Sequence, residues 1–240
     1  MIDYTHAYFI LPVSLWLVWR KRAKLRTMSC KPNSLYLILL VPGLLMFILG
    51  WRQDYLFIST LSLIPLLFGL TGYLYGTKVT KTLTFAILYL LLMVPPPLGI
   101  LDSVTLPMRK GISVVTEMLL KSFHYPITRD GLILSIGGNE IYMGAPCSGF
   151  RSLITMIALG LVFAYVNKGS LTRKIILVCS TVPLALLGNL IRVVGMCLIT
   201  FYFGKAVGEV FHDISGYAIF VGLILGLIGL DSLLERKWKL

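Results

Sequence analysis

The chain has little charge and very little acid. Of its 240 residues 13% are charged, and Asp and Glu together number 10 against 22 Lys and Arg. Soluble domains carry roughly 25% charged and about 45–50% apolar residues, whereas here the apolar share is 57%. That balance excludes a chain surrounded by water and places most of it in lipid. The four cysteines, Cys30, Cys147, Cys179 and Cys197, form no CxxC pair and no metal-ligand spacing, which argues against a zinc site and against a disulfide framework. HExxH and GxSxG are both missing, so neither a zincin site nor a serine elbow is present. No cofactor and no metal are implied. No nucleic-acid motif with interleaved exposed aromatics occurs either. The net charge of +12 therefore reads as membrane topology and contact with anionic lipid headgroups, not as nucleic-acid binding. With no soluble second domain, internal repeat or low-complexity linker, residues 1–240 are expected to form a single integral membrane domain.

What is present is a series of apolar runs. A spanning helix needs about 20 mainly apolar residues. The candidates are 3–19, 34–50, 55–75, 83–101, 148–167, 174–203 and 215–234, so the expected fold is an all-α polytopic membrane protein with about seven transmembrane helices. Tyr8–Trp19 precedes its basic cluster, the reverse of a signal peptide's order, and reads as a retained first helix. Basic residues gather at Arg20–Lys31, at Lys78 and Lys81, at Lys168, Arg173 and Lys174, and at Arg236, Lys237 and Lys239. If all four groups are cytoplasmic, the helices alternate consistently and the N-terminus lies outside. The segment 102–147 then falls on the outer side. Within it, Arg109, Lys110, Glu117 and Lys121 interrupt 104–123 and predict an amphipathic helix along the interface. The stretch 131–143, with its Gly-Gly-Asn turn, predicts a β-hairpin with Ile133 and Ile141 on its arms.

Ionisable groups in spans are expensive, about 2.5–3.5 kcal/mol each at a helix centre, so the exceptions ask for a cause. Pro146 and Ser148 suit a helix start, with Ser148 able to cap. Cys147 then lies at or beside a helix N-terminus, where backbone N–H groups and the dipole favour a thiolate. Arg151, four residues on, shares that face and would lower the thiol pKa further. Asn189 and Arg192 are three apart within span 174–203 and also share a face. His212 precedes the last span; His6 and His124 have no comparable neighbours. Three consecutive antiparallel helices place Cys147, Arg192 and His212 at similar depth on the outer side. Thiol, imidazole and cation are the parts of a thiol acyl-transfer site.

These residues resemble the exosortase/archaeosortase family of membrane transpeptidases. The matching pieces are Ala145-Pro146-Cys147-Ser148-Gly149-x-Arg151-Ser152-Leu153, Asn189-x-x-Arg192 and His212, with Pro95-Pro96-Pro97 closing an earlier helix. The likeness runs from about Pro95 to Gly216. Ala145-Pro146 stands where small or acidic residues are more usual. The resemblance implies a multi-pass enzyme of the cell membrane with its site facing outside. It acts on substrate proteins that end in a short Pro- or Gly-containing signature, one transmembrane helix and a basic cluster. Cys147 would attack the scissile carbonyl, His212 would act as general base or acid, and Arg192 would stabilise the oxyanion or the thiolate. Asn189 and Arg151 would support them, and an acceptor (lipid, glycan or water) would resolve the thioester. The competing class is a non-enzymatic transporter or an assembly factor of a surface-export system; the gathering of polar groups at one face and the lack of an inverted repeat weigh against a transporter.

Overall fold

The computed structural model describes residues 7–97, 100–167 and 169–238. Residues 3–6 of the first expected span, 98 and 99 of the fourth, and the basic Lys168 and Lys239 lie outside the described residues, as does His6. The chain packs as two units that divide after residue 98.

The first unit is helical: α1 (Ala7–Arg20), α2 (Arg22–Arg26), α3 (Leu37–Arg52), α4 (Leu56–Leu61), α5 (Leu63–Tyr75) and α6 (Thr77–Tyr89). Its helices meet through small residues. A Cβ on Gly69 would sit 2.6 Å from the Leu40 backbone, so α3 and α5 touch main chain to main chain. Such contacts suit helices in lipid, where close packing and not water exclusion drives association. Arg22 stacks on Trp19 at 3.8 Å and Lys21 Nζ donates to the Thr82 carbonyl at 2.9 Å, which fixes the basic end of α1.

The second unit contains α7 (Ile100–Ser122), three strands, α8 (Phe150–Val166), α9 (Leu171–Phe203) and α10 (Lys205–Trp238). Among the described residues four stretches are long and apolar enough to cross a membrane, Ser34–Arg52, Leu56–Tyr75, Leu171–Phe203 and Lys205–Glu235, and two apolar helices, Tyr8–Arg20 and Phe150–Val166, are shorter. The chain is thus a multi-pass membrane protein with four helices of spanning length where about seven were expected. The expected span 83–101 does not form as one helix. α6 stops at Tyr89, a 3-10 turn follows over Leu90–Met93, and Pro95-Pro96-Pro97 is not helical. Three successive residues without an amide hydrogen, each restricting its predecessor, end the ladder there.

The expected hairpin is a three-stranded antiparallel sheet, β1 (Ile127–Asp130), β2 (Ile133–Ile136) and β3 (Asn139–Tyr142), in the order β1-β2-β3. Ile133 and Ile141 do lie on the arms, with Leu134 opposite Ile141 and Ile133 opposite Tyr142. Gly137 and Gly138, at φ +55° and +79°, supply the two positive-φ positions of a type I′ turn. The additional strand exists because Gly131 (φ +58°) opens a second tight turn that pairs Ile127 with Ile136. Ile127, Leu134, Ile136 and Ile141 point inward and share one core with Cys147, Val193, Met196 and Cys197. The sheet therefore lies directly over α9. Arg129 Nε, at 3.0 Å from Glu117 Oε2, ties β1 to α7.

Candidate active site

α9 and α10 form a helical hairpin hinged on the single residue Gly204 (φ +87°). Their backbones come close at Gly208, where an added Cβ would overlap the Thr200 hydroxyl, and at Gly195, where it would lie 2.9 Å from Phe211. Arg192 is twelve residues before the hinge and His212 eight after it, an offset of about 6 Å along the helices at 1.5 Å per residue. The length of the arginine side chain covers that gap. Arg192 Nε and Nη2 donate to the His212 carbonyl at 3.1 and 2.9 Å, and Nη2 also lies 3.2 Å from His212 Nδ1.

Cys147 arrives by another route. After β3 the chain turns through the Gly144 carbonyl, which accepts from the Cys147 amide at 3.0 Å, into a 3-10 turn over Ala145–Ser148. Gly149 follows in the left-handed region (φ +73°), and α8 begins at Phe150. Ser148 Oγ accepts from the Phe150 amide at 3.2 Å, so Ser148 does act on the first turn of α8. Cys147, however, sits in the turn before the helix and not on its first turn, which removes it from the strongest part of the helix field.

Asn189 holds this turn to α9. Its Nδ2 donates to the Cys147 carbonyl at 2.9 Å, the residue is 2% exposed, and its Oδ1 is buried without a hydrogen-bond partner among the described residues. The Cys147 sulfur then lies 3.4 Å from His212 Nε2. The structure thus brings together Cys147, His212, Arg192 and Asn189, with Ser148 beneath them. Arg151 is exposed at the start of α8.

The electrostatics differ from the sequence expectation. Burial pushes the Cys147 thiol above its ordinary value, and this outweighs the downward pull of Arg192, of a hydrogen bond from the Gly144 backbone and of Arg109. The cations that act on the sulfur are Arg192 and Arg109; Arg151, to which the spacing assigned this work, is not among them. Because an arginine only donates, its contact makes His212 Nδ1 an acceptor and leaves the imidazole proton on Nε2, facing sulfur.

A cavity of about 410 Å³ opens beside the sulfur, lined by Tyr142, Met196, Thr200, Lys205, Glu209 and His212 among others. Lys205 and Glu209 were not singled out from sequence. Their spacing of seven and three residues before His212 puts them on its helical face, and that was the available signal. Among the described residues no three His, Cys, Asp or Glu side chains converge as metal ligands.

Comparison with curated proteins found no match, and comparison with solved structures found none. The family model described as transmembrane exosortase matches residues 1–229. With almost the whole length matched, and with a cysteine, a histidine and an arginine gathered at one end of its helices, the chain belongs to the transmembrane exosortase family.

Proposed function

We propose that this protein is a membrane cysteine transpeptidase that cleaves a C-terminal sorting signal and passes the new C-terminus to an acceptor through a thioester on Cys147. The observation that carries this reading is the approach of the Cys147 sulfur to His212 Nε2 at 3.4 Å, with Arg192 on the opposite edge of the same imidazole at 3.2 Å. A thiol in hydrogen-bond reach of a base that a third group orients is the arrangement of an activated nucleophile.

In the resting arrangement Arg192 occupies Nδ1, so Nε2 carries a proton and cannot accept another. Before His212 can act as base, the imidazole must take the Nδ1–H tautomer and the Arg192 Nη2 must leave Nδ1. The thiol proton then passes to Nε2, and sulfur attacks the scissile carbonyl carbon to form the S–C bond. The displaced Arg192 Nη2 is free to meet the oxyanion, while its Nε keeps hold of the His212 carbonyl. When the C–N bond breaks, the leaving amine takes the proton from Nε2, and the acyl group remains on sulfur. An acceptor amine, hydroxyl or water reverses these steps and releases Cys147. Asn189 keeps the turn in place, and water-excluded surroundings strengthen each polar contact.

The substrates on this reading are exported proteins ending in a short signature, a transmembrane helix and a basic cluster. The site faces outside the cell membrane, a sidedness supported by the basic clusters expected on the cytoplasmic side. The test is Cys147→Ala, expressed with a tagged substrate of that design. The variant should reach the membrane in normal amount and leave the substrate uncleaved; cleavage at the parent rate would end the covalent scheme.

A further inference from the structure

α7 carries a buried polar stripe. Thr105, Arg109, Ser113 and Thr116 are buried, whereas Val104, Leu106, Val115 and Met118 are exposed. Arg109 is the outlier of that face, a guanidinium 8% exposed whose polar partners among the described residues are loose. Its Nε lies 3.4 Å from the Thr105 carbonyl and its Nη2 3.4 Å from Thr105 Oγ1. Among the described residues the carboxylate in reach, Asp102, is 3.6 Å away and has a side chain 75% exposed, so water screens much of its charge.

A buried cation this weakly matched is costly where it stands, and its surroundings suggest what it serves. α7 packs against the turn of Cys147, and Ile112, one helical turn on from Arg109, lies in the same core as Cys147. Its positive charge also reaches the thiol and favours the ionised form. Among the described residues the other ionisable groups around that sulfur are Tyr142 on β3, Arg192 and Cys197 on α9, and Lys205, Glu209 and His212 on α10. Arg192 is committed to His212 in the resting site, which leaves Arg109 as the buried cation without a well-matched partner.

We propose that Arg109 is a second cation of the Cys147 site, a positioning residue that stabilises negative charge on the sulfur and on the tetrahedral intermediate. The proposal rests on reading Cys147 as the nucleophile, but its test does not need a substrate. In the full chain in detergent, the rate of Cys147 alkylation by iodoacetamide is followed against pH by mass analysis of the Cys147 peptide. Arg109→Met should move the alkylation midpoint up by about one pH unit, a roughly tenfold slower reaction at any pH below it, and Arg109→Lys should restore most of the rate. Arg109→Gln keeps a donor toward Thr105 but removes the charge, and should raise the midpoint as Arg109→Met does. A parent midpoint in Arg109→Met would overturn the proposal; should that variant not fold, a parent midpoint in Arg109→Gln would do so. Neither result touches the thioester mechanism, which stands or falls on substrate cleavage by Cys147→Ala.

Discussion

Gly149 ends the turn that carries Cys147, and replacing it tests how the nucleophile is held. Its φ of +73° lies in the left-handed region, and a Cβ there would lie 2.7–2.9 Å from Cγ, Cβ and Nδ2 of Asn189. Gly149→Ala therefore carries two costs. Holding a residue with a Cβ in that conformation takes about 1–2 kcal/mol. Pushing Asn189 away breaks its bond to the Cys147 carbonyl and leaves a buried acceptor unmet, about 1–3 kcal/mol more. The effect on chemistry should exceed the effect on stability. The turn that moves carries the sulfur, and displacing a reacting group by about 1 Å costs on the order of 10²-fold in rate. The assay pairs substrate cleavage with thermal unfolding of the detergent-solubilised chain. The expected result is a melting temperature lower by several degrees and cleavage reduced far more than unfolding explains. Asn189→Gly in the same background removes the clashing side chain, so the double variant should lose less than the two single effects added together. A Gly149→Ala protein that melts and cleaves like the parent would refute this account, and so would strict additivity in the double variant.

Two further perturbations separate electrostatic from structural roles. Arg192→Lys keeps the charge but not the fork that grips both the carbonyl and Nδ1 of His212; cleavage should fall sharply while the alkylation rate of Cys147 stays close to the parent's. Asp231→Asn acts at the far end of α10, where Asp231 accepts from Arg173 Nε at 2.7 Å and from Asn167 Nδ2 at 2.8 Å. Leaving the buried Arg173 guanidinium short of its partner should destabilise the fold by about 3–5 kcal/mol, while cleavage per folded molecule stays near normal, because His212 lies about 28 Å away along the helix.

What could be read from the sequence follows from how each signal arises. Cys147, Arg192 and His212 were legible because lipid makes a polar residue conspicuous, and alternating helices bring consecutive span ends to one side. Asn189 was legible through its spacing from Arg192. Its place against the Cys147 carbonyl was not, because that depends on Gly149 leaving room for the Asn189 side chain beside the turn. The expected role of Arg151 turns on the same glycine. Helical spacing puts Arg151 one turn from Cys147 only if the helix already includes the cysteine, and the 3-10 turn with its left-handed glycine breaks that register. Arg109 was hidden for the opposite reason. Of the charged residues that mark 104–123 as amphipathic, Lys110 and Lys121 are exposed, as that reading expects, whereas Arg109 is buried in a stripe with Thr105, Ser113 and Thr116. Where the apolar phase surrounds the protein, the buried polar stripe of an amphipathic helix, and not its exposed side, is the place to look for residues that serve the site.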